Sequence, residues 1–295
     1  MMKSSKEMAE IWNVSERTVT TFCKSGKVPG AIKEGRTWKI PEDAKKPADG
    51  RVMSGRYVKK NIKNTIKALP IGISDYVRAQ SEYYYVDKTM MIKEFLDQKP
   101  LVTLFTRPRR FGKTLNMSML NCFFSRQYAE KGTIFEGLSI WKQEKYRRLQ
   151  GTYPVIFLSF ADVKQNNYQD AVQKIKNIIV DAYRQHRYLE QEECFTQNEK
   201  QQMLEITEKM SDVTAQDALK NLSSYLNLLY GKKVLIFLDE YDTPMQEAYI
   251  HGYWDEFAGF MRSLFNATFK TNPYLDRAVM TGITRISKES VFSDL

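Results

Sequence analysis

Gly112, Lys113 and Thr114 fill the last three positions of the spacing G-x-x-x-x-G-K-[ST] in the run Arg107-Pro108-Arg109-Arg110-Phe111-Gly112-Lys113-Thr114. That spacing lets backbone N–H groups around Arg110 to Thr114 surround phosphates. Lys113 can bridge β and γ oxygens, and the Thr114 hydroxyl can ligate Mg²⁺. Arg107 occupies the position of the first glycine, so the backbone must find its turn without glycine's freedom, with Pro108 offering a different rigid route. Arg107, Arg109 and Arg110 either meet phosphate or face solvent and partner subunits, since guanidinium suits both settings. A second group, Asp239-Glu240, follows the apolar run Lys233 to Leu238. Asp239 there can help hold Mg²⁺ through water, and Glu240 can polarise the water that attacks a γ-phosphate. A third group, Thr281-Gly282-Ile283-Thr284-Arg285, offers Thr281 or Thr284 to sense that phosphate and Arg285 to stabilise transition-state charge, or else is a strand end followed by an ordinary turn.

Such groups work only if strands deliver them to one edge. Residues 101–106, 153–160, 233–238 and 277–281 read as apolar strands, with Pro154 tolerable at a strand entry. A helix begins at Leu115, and a long helical insertion separates the second strand from the third. One of its helices carries Ala171, Val172, Ile175, Ile178, Ile179, Ala182 and Tyr183 at 3.6-residue spacing, and another carries Ala218, Leu219, Leu222, Leu226 and Leu229. Alternating strands and helices predict an α/β class with a parallel sheet, whose ligands bind outside the carboxyl ends of the strands. Asp242 reads as a cap for a helix starting near Pro244.

Residues 4–43 form a pattern of their own. Ser4 and Glu7 have capping-box spacing, and Met8, Ala9, Ile11 and Trp12 give an apolar face. After a turn at Asn13-Val14, Ser15 caps a second helix, Glu16 to Lys24, with Val19, Phe22 and Cys23 inward and Gly26 ending it. Ala31 to Lys33 and Arg36 to Ile40, joined at Glu34-Gly35, predict a hairpin wing. This is a winged helix-turn-helix layout. The order of elements resembles the excisionase and MerR type, which implies that Arg17, Thr18, Thr20 and Thr21 face bases while Ser15, Lys24, Lys33, Arg36 and Lys39 hold phosphates. The same scaffold also serves as a protein-interaction module.

The chain has 295 residues, with hydrophobic content of 42% and aromatic content of 13%, enough for a large core plus a small appended module. Its net charge of +10 suggests an anionic partner. Residues 51–70 hold Arg51, Arg56, Lys59, Lys60, Lys63 and Lys67 without an acidic residue, either as a solvated linker or as an extension of a nucleic-acid contact. Cys23, Cys122 and Cys194 are too few and too scattered for a disulfide framework or zinc cluster. No apolar run reaches membrane-spanning length, and the N-terminus lacks a signal-peptide core. A cytoplasmic protein is expected.

Four motifs in order, YYVDKT (Tyr84 to Thr89), RPRRFGKT, FLDEYD (Phe237 to Asp242) and TGITRISKESVF (Thr281 to Phe292), resemble the predicted AAA-ATPase-like family, relatives of the STAND-type P-loop ATPases. The first 50 residues resemble excisionase and MerR helix-turn-helix domains. The larger resemblance implies a P-loop NTPase sheet with a helical insertion, an Arg at the first P-loop position as a family trait, and Tyr85, Asp87 and Lys88 near the nucleotide base or ribose. It implies ATP and Mg²⁺ as ligands, slow ATP hydrolysis, and in many members a lid and a PD-(D/E)xK nuclease-like domain, neither of which this sequence supplies by Leu295. The expected organisation is a winged helix-turn-helix over 1–50, a basic linker over 51–68 and the ATPase-like domain over 69–295. The function expected is an ATPase or nucleotide-dependent switch with a DNA-binding head, with a homo-oligomer or partner protein possible. The competing expectation is a DNA-binding regulator with a degenerate nucleotide pocket. No metal, carboxylate and lysine constellation outside these motifs supports nuclease chemistry.

Overall fold

The chain divides into two units, Met1–Thr65 and Ile66–Leu295, in a computed structural model that describes residues 1–47 and 67–286. Most of the basic stretch, residues 51–66, and the motif residues from 287 onward lie outside the described residues.

In the first unit, β1 (Met2–Ser4) leads into α1 (Ser5–Trp12), α2 (Glu16–Lys24), β2 (Ile32–Glu34) and β3 (Thr37–Pro41). Ser4 and Glu7 form the predicted capping box, with the Glu7 carboxylate accepting the Ser4 N–H at 2.8 Å. Ser15 caps α2 by accepting the Thr18 N–H. Gly26, at φ 68°, turns the chain so that the Lys27 N–H reaches the Phe22 carbonyl at 3.0 Å, closing the helix. Met8, Ala9, Trp12, Val19, Cys23, Val28 and Ile40 make the core. Ile11 does not join them and is 54% exposed. At 100° per residue it lies roughly 110° from the centre of the face that Ser5, Met8, Ala9 and Trp12 bury.

The hairpin turn sits one residue later than expected, at Gly35-Arg36, because Gly35 takes the left-handed φ of 61° at its first position and Glu34 pairs with Thr37. Arg36 is therefore at the wing tip. A third strand, β1, pairs with β3 and places Lys3 opposite Ile40. Three residues are too few to show an alternating pattern.

The second unit is built on four parallel strands, β4 (Val102–Thr106), β5 (Val155–Ser159), β6 (Val234–Asp239) and β7 (Leu275–Gly282), in the order β4-β7-β6-β5. Before β4 come α3 (Tyr76–Glu82) and α4 (Met90–Gln98). Between β4 and β5 come α5 (Lys113–Phe124), a series of short turns and α6 (Glu144–Arg147). The helical insertion between β5 and β6 comprises α7 (Tyr168–Gln185), α8 (Gln197–Leu204) and α9 (Asp212–Tyr230), and α10 (Thr243–Ile250) and α11 (Trp254–Phe265) precede β7. Every residue of β6 is buried, as a strand covered on both faces must be. One face, with Ile236, Leu238, Ala278 and Met280, joins the apolar stripes of α7, α9 and α11. The other, with Leu235, Phe237 and Val279, packs on α5 and α4 through Leu120, Phe123, Phe124 and Phe95. The register pairs Thr106 with Gly282 and Leu238 with Met280. The carboxyl ends of β4, β7 and β6 are therefore level, with β4 and β6 about 10 Å apart at two strand spacings.

At the opposite edge, His186 is 6% exposed, and its Nδ1 lies 3.2 Å from the Tyr188 hydroxyl. Burial, opposed by a backbone hydrogen bond at Val155, pushes its pKa down to about 4. The unfolded chain then binds a proton near pH 6.5 that the folded chain refuses until about pH 4, so stability is complete above pH 6.5 and falls as the pH drops through that window. The loss attributable to His186 is expected to be on the order of 2–3 kcal/mol. Acid unfolding of a His186→Gln variant, followed by circular dichroism, should show a correspondingly shallower slope between pH 6.5 and 4 than the parent chain.

Candidate functional site

The loop after β4 solves its turn without a glycine at the start. Arg107 keeps an ordinary backbone and donates its N–H to the Gly282 carbonyl at 3.1 Å. The left-handed dihedrals fall instead on Arg110 (φ 68°) and Gly112 (φ 74°). The cost expected at position 107 is thus carried at Arg110, where a side chain in this region is uncommon. Helix α5 starts at Lys113, two residues before the expected Leu115, with Gly112 at its N-cap and no side chain capping it. A Cβ at Gly112 would meet nothing within 4 Å. An uncapped helix N-terminus facing open space is a setting that suits phosphate oxygens.

Lys113 is 8% exposed, and its ammonium donates to the carbonyls of Arg107 (3.0 Å) and Pro108 (3.2 Å). It spans the mouth of its own loop. Thr114 follows it on the first turn of α5. Arg107, Arg109, Arg110 and Phe111 are exposed, and the Arg107 guanidinium donates to the neighbouring Thr106 carbonyl at 2.8 Å.

Across the sheet edge, β6 ends in Asp239, which is 1% exposed and accepts a short hydrogen bond from the Thr281 hydroxyl of β7. The same Thr281 oxygen accepts the Glu240 N–H at 3.3 Å. Thr281 thus joins the ends of β6 and β7 and touches both acidic residues. Glu240 adopts a left-handed φ of 51°, which turns the chain out of the strand. Its Oε2 accepts from the Thr243 hydroxyl at 3.2 Å. Among the described residues no group of three His, Cys, Asp or Glu side chains could hold a metal ion. A Mg²⁺ site on Thr114 and Asp239 would be of the sparse kind that relies on water and substrate phosphates for its other ligands.

Asp242 departs from its expected role. It occupies the N-cap position of α10, yet makes no side-chain cap. Its Oδ2 accepts instead from the N–H groups of Ile283 (2.8 Å) and Thr284 (2.9 Å), the Thr284 hydroxyl (3.1 Å) and Gln246 Nε2 (2.8 Å). Tyr241 is fully buried, and its hydroxyl donates to the Thr284 carbonyl at 2.8 Å. Burial raises its pKa, with the Ile286 N–H opposing, so the phenol stays protonated as a donor. Arg285 is exposed and lines a 380 Å³ cavity with Leu104, Thr106, Tyr241 and Met280.

Tyr85 and Asp87 have structural partners. The Tyr85 hydroxyl contacts Met119 Sδ of α5 at 3.4 Å, and Tyr85 packs edge-on against Tyr76. One Asp87 oxygen accepts from both the N–H and hydroxyl of Thr89, and the other accepts the Ser139 N–H at 2.8 Å. Asp87 ties the start of α4 to a turn beyond α5, and Lys88 is exposed.

In the N-terminal unit, Arg17, Thr21 and Lys24 are exposed on α2, while Thr18 and Thr20 are half-buried. The Thr18 hydroxyl is shared with Ser15 at 2.8 Å, and the Thr21 hydroxyl donates to the Arg17 carbonyl at 2.8 Å. In the wing, Lys33 pairs with Trp38 and Lys39 with Ile32, so Lys33 and Lys39 project from opposite faces of the hairpin.

Residues 70–292 match the family described as Predicted AAA-ATPase, and residues 4–44 match a helix-turn-helix domain family. A curated relative, the "Uncharacterized protein in vnfD 5'region" of Azotobacter chroococcum mcd 1, is 26% identical over 232 residues, covering 78% of this chain. The chain spans 40% of the length of that relative. No solved structure matches the chain.

Proposed function

Since the chain belongs to the predicted AAA-ATPase family through residues 70–292 and carries a helix-turn-helix domain at residues 4–44, we propose that it is a Mg²⁺-dependent ATPase, or ATP-driven switch, with a DNA-binding head. The observation that carries this proposal is the level edge of β4, β7 and β6. It brings the loop ending in Lys113-Thr114, the Thr281 hydroxyl and the Asp239-Glu240 pair to adjacent strand ends. That is the division of labour phosphoryl transfer needs, with one group on the phosphates and another on the attacking water.

In this account Arg109 to Thr114 receive the phosphates, and Lys113 exchanges its two carbonyl partners for phosphate oxygens. Thr114 and Asp239 would hold Mg²⁺, which when bound offsets the charge of the β and γ phosphates. Glu240 takes a proton from water as the water oxygen bonds to the γ-phosphorus and the bridge to the β-phosphate breaks, giving ADP and inorganic phosphate. Arg285 stabilises charge on the transferring group. Slow turnover is expected. Steady-state phosphate release from Mg·ATP tests the proposal, and the absence of both release and ATP binding would overturn it. Among the described residues no helix is long and apolar enough to cross a membrane, and a cytoplasmic setting fits a protein that uses ATP and DNA.

For the head, Arg17, Thr21 and Lys24 form the exposed side of α2 and supply the DNA contact, with Thr18 and Thr20 beside them and Arg36 and Lys39 reaching from the wing. Replacing Lys24 and Arg36 together by Ala is expected to lower the slope of log K against log salt by about two, one per lost phosphate contact. Fluorescence anisotropy with duplex DNA at two salt concentrations measures it. Binding insensitive to salt would point to a protein-interaction module instead.

A further inference from the structure

The segment Asp239-Glu240-Tyr241-Asp242 holds the loop after β7 on both sides of Arg285. Before Arg285, the Ile283 and Thr284 N–H groups converge on one oxygen of Asp242 at 2.8 and 2.9 Å. Two consecutive N–H groups meeting on one point make a small anion nest, and here the anion is part of the protein. Around Arg285, the Tyr241 hydroxyl donates to the Thr284 carbonyl at 2.8 Å and accepts the Ile286 N–H at 3.2 Å.

This arrangement is not what the local sequence makes easiest. Asp242 stands where it could cap α10, and it forgoes the cap. Its other oxygen, Oδ1, is buried and has no hydrogen-bond partner among the described residues, a costly state for a carboxylate. Gly282 makes the approach possible, since a Cβ there would come within 2.5 Å of Asp242 Oδ1 and 2.7 Å of the Tyr241 ring. The Gly282 carbonyl in turn accepts the Arg107 N–H, so the same junction reaches the start of the phosphate loop.

We infer that Tyr241 and Asp242 are positioning residues that fix Arg285 relative to Glu240, so that the water-activating carboxylate and the charge-stabilising guanidinium are set by one four-residue segment. The inference rests on the ATPase function proposed above. Neither residue touches the reacting atoms. Their effect passes through the Ile283–Ile286 backbone, and it should be felt in the chemical step more than in ATP binding.

The test is a double-mutant cycle on the full chain. Tyr241→Phe keeps the buried ring and removes both loop contacts, and Asp242→Asn keeps the shape and removes the charge. Each is expected to lower kcat on the order of tenfold or more while leaving Mg·ATP affinity within about threefold, because a misplaced catalytic group costs rate before it costs binding. In an Arg285→Ala background, Tyr241→Phe is expected to cause little further loss. Hydrogen exchange should show faster exchange in residues 281–286 of both variants, with the β6 amides unchanged. Full additivity with Arg285→Ala, or Tyr241→Phe turnover equal to the parent, would overturn the inference, and a generally destabilising Asp242→Asn leaves Tyr241→Phe to decide. A parent chain without Mg·ATP binding or hydrolysis overturns the function itself and, with it, the catalytic part of the inference. Exchange in residues 281–286 still reads the clamp in that case, and no change there would overturn the clamp separately.

Discussion

Lys113→Ala is expected to weaken Mg·ATP binding by roughly a hundredfold, the order of effect when charge-assisted hydrogen bonds to phosphate are lost. The Lys113 ammonium satisfies two carbonyls, those of Arg107 and Pro108. Both bonds go to carbonyls of the loop itself and none to the sheet or the helices packed on it. The variant should therefore keep nearly the parent's thermal midpoint while losing ligand affinity. Calorimetric titration with Mg·ATP beside a thermal melt separates the two effects. A large fall in stability with little change in affinity would instead make Lys113 a structural brace for the loop.

Glu240→Gln should leave Mg·ATP affinity within about twofold and lower turnover by on the order of a hundredfold or more, the range for loss of a general base. The substitution is close to isosteric, and the Thr243 hydroxyl that donates to Glu240 Oε2 can donate equally to an amide oxygen. The left-handed backbone at position 240 is shared by both side chains, so its strain cancels in the comparison. What changes is the capacity to take a proton from water. Phosphate release under single-turnover conditions measures that loss, and unchanged release from Glu240→Gln would remove Glu240 from the mechanism.

The strands were legible because parallel strands buried on both faces are written as continuous apolar runs, as in Val234 to Leu238. The insertion was legible because α7 and α9 are long enough to repeat an apolar stripe. Strand order was not. Nothing local to residues 275–282 says that β7 inserts between β4 and β6, because pairing partners are set by packing across long sequence separations. Short pieces also escaped, such as β1 with three residues and α6 with four, which are too brief for any period. In the site, the types and spacing of Lys113, Thr114, Asp239 and Glu240 were visible, but the solution to the missing glycine was not. The left-handed turn moved to Arg110, where composition gives no hint of it. The role of Asp242 is hidden for a related reason. An Asp before Thr243-Pro244 looks like a helix cap, and only the close approach of Gly282 reveals the competing partner that won the carboxylate.

The proposed function makes Lys113 and Glu240, carried by strands on either side of β7, parts of one site with separate duties. It is tested most directly by mixing the parent chain, Lys113→Ala and Glu240→Gln with Mg·ATP and following bound nucleotide and released phosphate in the same samples. The expected result is binding with release for the parent, binding without release for Glu240→Gln, and binding roughly a hundredfold weaker without release for Lys113→Ala. Equal binding and equal release from all three would contradict it.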